Sequence, residues 1–159
     1  MAGAKRIPGL DGDLSFAQAA AKTIQVCASE VFSYADGMLD TSDPERVHDM
    51  RVATRRLRTA LEIFAPCFPK YEYKPLLREV KALADALGER RDADVQIGAL
   101  EALGEGLTQA DRTGVRGLIA ELRDRQHRGN RTLEAALARA RDERLEERLA
   151  GLAAGGEAP

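Results

Sequence analysis

Apolar residues recur at helical intervals along most of the chain, while the period-two alternation of strands is scarce. From Leu14 to about Leu39, the positions Leu14, Ala17, Ala21, Ile24, Val31, Phe32, Ala35 and Met38 form one broad inner face, with Asp13 placed to cap the helix. Gly37 and the run D-T-S-D-P-E predict a stop and restart, in which Ser42 or Asp43 caps and Pro44 occupies a first helical turn. A second helix follows, bounded by the Pro66 to Pro69 punctuation. A third runs from Tyr71 to about Leu87 on Leu76, Leu77, Val80, Leu83 and Leu87; Gly88 then admits a kink or break before Val95, Ile97, Leu100 and Leu103 carry helix to Gly104–Gly106. Thr108 and Asp111 form a T-x-x-D box opening a long helix to about Ala138, whose inner face includes Gly129, where a second backbone can approach closely. A short helix over about Arg141 to Leu152 completes the pattern. The expected fold is all-α: an antiparallel helical bundle of four main helices plus a short C-terminal helix, over residues 13–153, with flexible tails at 1–12 and 154–159.

The polar positions of the second helix are as ordered as its apolar ones. With His48 at zero and roughly 100° per residue, Val47, Met50, Thr54, Leu57, Leu61 and Phe64 fall between about 160° and 260°, the core side. His48, Arg51, Arg55 and Arg58 fall between about 280° and 360°, a second stripe directly beside the first. Arginines stacked at i,i+3 and i,i+4 repel by a few tenths of a kcal/mol per pair. The core does not require them, so they answer to something outside their own helix, either a ligand with repeated negative charge or carboxylates of a partner helix. Arg56, near 80° on the same ruler, is a candidate set apart from the stripe.

Two further basic faces share this character. Lys74, Arg78 and Lys81 lie within about 40° of Lys74, opposite the apolar arc of the third helix, and are placed to form a facing wall. Arg123, His127 and Arg131 share a face of the long fourth helix, diluted by Glu134. Arg90 and Arg91 are candidates with two readings, anion contact or a structural pair with Asp92 or Asp94 at the Gly88 kink.

Composition narrows the ligand classes. The 159 residues suit one domain, and 24 Lys and Arg against 26 Asp and Glu give a net charge of −2, so no global attraction to polyanions exists and an anion site must be local. Between Glu45 and Arg91, eleven basic and seven acidic residues leave a surplus of four, which makes such a patch available. Trp is absent and aromatics are few, which disfavours nucleic acid as a partner. No run reaches the length of about 18 apolar residues expected of a membrane span. Cys27 and Cys67, without C-x-x-C or metal-like spacing, read as free thiols of a cytosolic protein. No glycine-rich phosphate loop, G-x-S-x-G or metal-type histidine pairing is present, so the expectation is a binding module that is not an enzyme and needs neither cofactor nor metal.

The stretches H-D-M-R-V-A-T-R-R-L-R-T-A-L from His48 and L-G-E-R-R-D-A-D-V from Leu87 resemble, in order and on consecutive helices, the two signatures of the CHAD family, the conserved-histidine α-helical domains. Where the family often carries Ser and Tyr before its next helix, this chain has Arg139 and Asp142. The resemblance implies binding of inorganic polyphosphate, with His48, the family-defining position, among the contacts. It spans about Leu14 to Leu152, the first of two similar halves in family members, and so implies a homodimer or a partner supplying the second half. It also implies a cytoplasmic location, with polyphosphate granules as the place of association. Physically the match is sound. Polyphosphate carries a charge on every unit, and seven helical residues advance roughly 10 Å, so His48 and Arg55, or Arg51 and Arg58, are spaced to meet successive units through guanidinium–phosphate hydrogen bonds. The competing expectation is a helical scaffold or dimerisation module whose arginines form salt bridges between helices or subunits.

Overall fold

The computed structural model describes residues 6–156, and within them every regular element is helical: α1 (Phe16–Ser33), α2 (Pro44–Ile63), α3 (Lys70–Glu105), α4 (Gln109–Asp142) and α5 (Leu145–Gly156), with a single 3-10 turn at Ala65–Cys67. The outer parts of both expected tails, 1–5 and 157–159, lie outside the described residues. Residues 6–12 carry only turns, and α5 continues to Gly156, past the expected start of the tail at 154.

Caps explain most boundaries. α1 is capped by Ser15 rather than Asp13: the Ser15 hydroxyl accepts from the Gln18 N–H, and the Gln18 side chain accepts from the Ser15 N–H, a reciprocal box that satisfies two otherwise orphaned donors. The Asp13 N–H instead donates to the Asp11 carboxylate. α1 also ends six residues short of Leu39. Gly37 adopts a left-handed φ of 72°, and the Arg46 guanidinium, which donates to the Asp36 carbonyl at 2.7 Å, packs over it. That turn folds Met38 back into the core, so a residue expected on a helix face is buried by a loop. At the start of α2, Asp43 makes no side-chain cap bond and pairs with Arg46 at 3.2 Å, while Pro44 takes the first helical position. Thr108 caps α4 by accepting from the Asp111 N–H.

The largest departure is α3, which runs for 36 residues straight through Gly88. Leu83, Ala86, Leu87 and Ala93 are buried on both sides of that glycine, so tertiary packing holds the helix continuous against a penalty of about 1 kcal/mol for an interior glycine.

Contacts across the helices show their directions. Arg91 reaches Pro44 and Glu45 while Lys81 reaches Glu62, so α2 and α3 are antiparallel; Arg90–Asn130, Asp94–Gln126 and Glu101–Arg123 show the same for α3 and α4. α1 packs against α2 and α5, α2 against α3, and α3 against α4. Ile24 and Val31, Val47, Met50, Leu57 and Leu61, Val80, Leu83 and Leu87, Leu133, and Leu145 and Leu149 make one continuous core. Each large aliphatic side chain there contributes about 1.5–3 kcal/mol by leaving water. α4 approaches α3 closely at Gly129, where an added Cβ would lie 3.1 Å from the Arg90 Cα.

Candidate functional site

Because the apolar face of α2 is fixed against the core, its second stripe is fixed too, along the outer seam between α2 and α3. Arg51, Arg55 and Arg58 line a groove there of about 600 Å³, with Thr59, Glu62 and Gly88 completing its α2 and floor sides. Gly88 keeps the floor low: Arg51 Nε lies 4.0 Å from the position a Cβ would take. Among the described residues, Arg51 and Arg55 have no ion-pair partner within 4.0 Å, so their guanidinium donors remain available to a ligand. Arg58 differs, donating from Nε to Glu62 Oε1 at 3.2 Å. Lys81 reaches the same Glu62 oxygen at 3.1 Å, and the hydrogen bonds from Lys81 and then Arg58 hold the Glu62 carboxyl below its ordinary pKa.

The opposite wall is acidic. Asp85, Glu89 and Asp92 of α3 line the groove facing the arginines. On the ruler that aligned Lys74, Arg78 and Lys81, these three carboxylates fall within about 60° of Lys74, so extending that ruler past Lys81 would have found them. The exposed face of α3 is therefore basic at its start and acidic where it passes the α2 stripe. No ion pair within 4.0 Å joins Arg51 or Arg55 to the acidic wall. The groove is thus an open channel with walls of opposite charge.

The other candidates are dispersed. His48 is half-buried one turn before Arg51 and outside the groove lining. Lys74 is exposed, and Arg78 turns toward α4, bordering a separate hollow with Ala135 and Arg139. Arg123 and His127 border another hollow with Thr41, Ser42 and Asp94, where Arg123 pairs with Glu101 at 3.3 Å; Arg131 is exposed on α4. Of the second face only Lys81 meets the α2 stripe, through the Glu62 it shares with Arg58; the rest of the three basic faces do not converge on one site.

Three arginines are tied into the scaffold. Arg56 donates to Glu30 of α1 at 2.6 Å, across the α1–α2 interface. Burial raises the pKa of the neighbouring Cys27 thiol, with Arg56 opposing the shift and Glu30 adding to it. Arg91, expected to choose between an anion and Asp92 or Asp94, instead donates to the Pro44 carbonyl at 3.1 Å and sits 3.5 Å from Glu45, because the unbroken α3 aims it at the start of α2. The pair with Asp94 belongs to Arg90, one turn before it on the same face. Arg90 is fully buried and donates from Nε to Asn130 at 2.8 Å; Asn130 donates to the Leu39 carbonyl, and Gln126 donates to Asp94 at 2.6 Å. This network joins α3, α4 and the α1–α2 loop and leaves Arg90 no open surface.

Among the described residues, no group of three or more His, Cys, Asp or Glu is placed to hold a metal ion, and no helix is long and apolar enough to cross a membrane. A family model for the CHAD domain matches residues 22–159. No curated protein and no solved structure matches the chain.

Proposed function

Since this chain belongs to the CHAD domain family, we propose that its α2–α3 groove binds inorganic polyphosphate, without catalysis, through Arg51, Arg55 and Arg58. The observation that carries the reading is the pair Arg51 and Arg55, which open into a groove with no ion-pair partner among the described residues. The family is often linked to polyphosphate binding, and a helical row of guanidinium groups suits a flexible chain of repeated charge better than a shaped pocket does. Lys81, which reaches the groove-lining Glu62, and His48, one turn before Arg51, are reserve contacts for a long ligand, while Lys74 and Arg78 lie outside the groove. Arg123 and His127 border a different hollow, and Arg131 lies outside the groove lining. In this reading the protein acts in the cytoplasm, at polyphosphate granules.

Titration of the full chain with long-chain polyphosphate at low and moderate salt tests this. Binding should weaken steeply with salt as condensed counterions are released, and Arg55→Glu should abolish it with unchanged helicity. Absence of binding at low salt overturns the proposal.

A second reading draws on the acidic wall. If Asp85, Glu89 and Asp92 hold the α2 arginines through longer-range attraction, the groove is a scaffold seam, and Arg55→Glu should lower stability. The two readings therefore separate on the same variant.

A further inference from the structure

Beyond Ile97 on α3 and before Gln126 on α4, no residue of the helical hairpin is buried. Apart from Gly98, Glu101 and Arg123, which border the hollow beside Thr41 and Ser42, the two helices there pack mainly on each other, and Leu103 and Leu118 are 55% and 51% exposed. The line of contact between them is marked by Gly104 against Val115. Leu103 lies about 100° and Leu118 about 60° from that line in the same rotational sense, which for antiparallel helices is the same flank. On α4 this flank continues as an exposed stripe of Asp111, Gly114, Leu118, Glu121 and Arg125.

We propose that this flank is the interface with a second copy of the chain, with α4 packed antiparallel on α4 across a twofold axis at Leu118. Charge complementarity selects that occupant. A twofold axis at Leu118 pairs positions equally spaced on either side, so Asp111 meets the partner's Arg125 and Arg125 meets the partner's Asp111. Arg125 has no ion pair within its own chain among the described residues. A parallel arrangement would set like charges against each other along the same stripe. Gly114 lies beside the axis, and nothing in its own chain lies within 4 Å of an added Cβ, so it offers a close approach that the single chain does not use. The exposed part of α4, residues 109–125, is about 25 Å long, and one helix flank of that length offers a small contact beside the roughly 1,200–2,000 Å² of a stable interface. The dimer is therefore expected to dissociate on dilution rather than to be permanent. None of this depends on what the α2–α3 groove binds.

Light scattering and sedimentation of the full chain across the micromolar range provide the test. A monomer–dimer equilibrium is expected, with Leu118→Glu monomeric at unchanged helicity. Arg125→Asp and Asp111→Arg should each weaken the dimer on the order of tenfold, and the two together should restore it, since opposed charges reappear across the axis. The Thr108 hydroxyl donates to Asp111 at 2.6 Å at the start of α4, so helicity is measured for every variant. Leu118→Cys gives an independent readout, a covalent dimer linked through that position under mild oxidation. A strict monomer overturns the proposal, as does a dimer indifferent to Leu118→Glu. Failure of both the double charge reversal and the Leu118→Cys link overturns the antiparallel pairing.

Discussion

Arg90 shows how much a single side chain depends on its surroundings. In sequence it is one of two adjacent arginines in a charged run, yet it is fully buried against Asp94 and Asn130 while Arg91 reaches to the start of α2. A buried ion pair is costly to break, because the remaining partner is left charged in a medium that solvates it poorly. Asp94→Ala should cost about 3–5 kcal/mol, read as a shift of the urea unfolding midpoint. Arg90→Met combined with Asp94→Leu should recover most of that loss, since an apolar pair of similar volume removes the desolvation penalty together with the attraction. A double variant as unstable as the single would show that Asn130 and Gln126 need their charged partners. Nothing local in the sequence separates Arg90 from Arg91; the 100° between them decides, and only once both faces of α3 have been assigned.

At the scale of elements, glycine behaves in two ways in this chain. Gly88, which locally admits a kink or break in the third helix, is instead an interior residue of α3, because packing before and after it outweighs a local propensity of about 1 kcal/mol. Gly129 was expected to admit another backbone, and the 3.1 Å approach of the Arg90 Cα to its missing Cβ position shows that it does. Gly129→Ala gains about 1 kcal/mol of helix propensity, but overpacking against backbone costs about 1–3 kcal/mol. The net effect should be a lower melting temperature. Gly151→Ala in α5, where nothing lies within 4 Å of the new Cβ, should raise it. Equal responses at the two positions would mean that the α3–α4 contact yields freely.

For the whole molecule, the decisive feature is that α2 and α3 present opposite charges to one another across an open groove. On the polyphosphate reading, Asp85, Glu89 and Asp92 repel the ligand, each by about 0.5 kcal/mol at about 8 Å in water. Asp85→Asn, Glu89→Gln and Asp92→Asn combined should then tighten polyphosphate binding about tenfold at low salt, with the gain shrinking as the Debye length falls. Calorimetric titration at two ionic strengths measures this. If the triple variant instead loses stability and gains no affinity, the carboxylates serve the arginines structurally and the scaffold reading stands.

The sequence by itself determined the helical class, the apolar face of α2 and of α3 up to Leu87, and the placement of Arg51, Arg55 and Arg58 on one line beside the core stripe. A helix repeats every 3.6 residues regardless of what surrounds it, so these relations are local. Val95, Leu103 and Leu118 share the apolar periodicity of α3 and α4 but are exposed, because no third element covers that end of the hairpin. The sequence also marked Gly129 as a point of close approach, and the two signature stretches were enough to mark the family. Relations between helices were beyond its reach. Only the tertiary structure decided that α3 passes unbroken through Gly88, that Arg56 joins α1 while Arg90 and Arg91 join α3 to its neighbours, that the three basic faces point to different hollows, and that a row of carboxylates stands opposite the α2 arginines. Each of these depends on the rotation and offset of one helix against another, which the packing of buried side chains sets and no single helical period encodes.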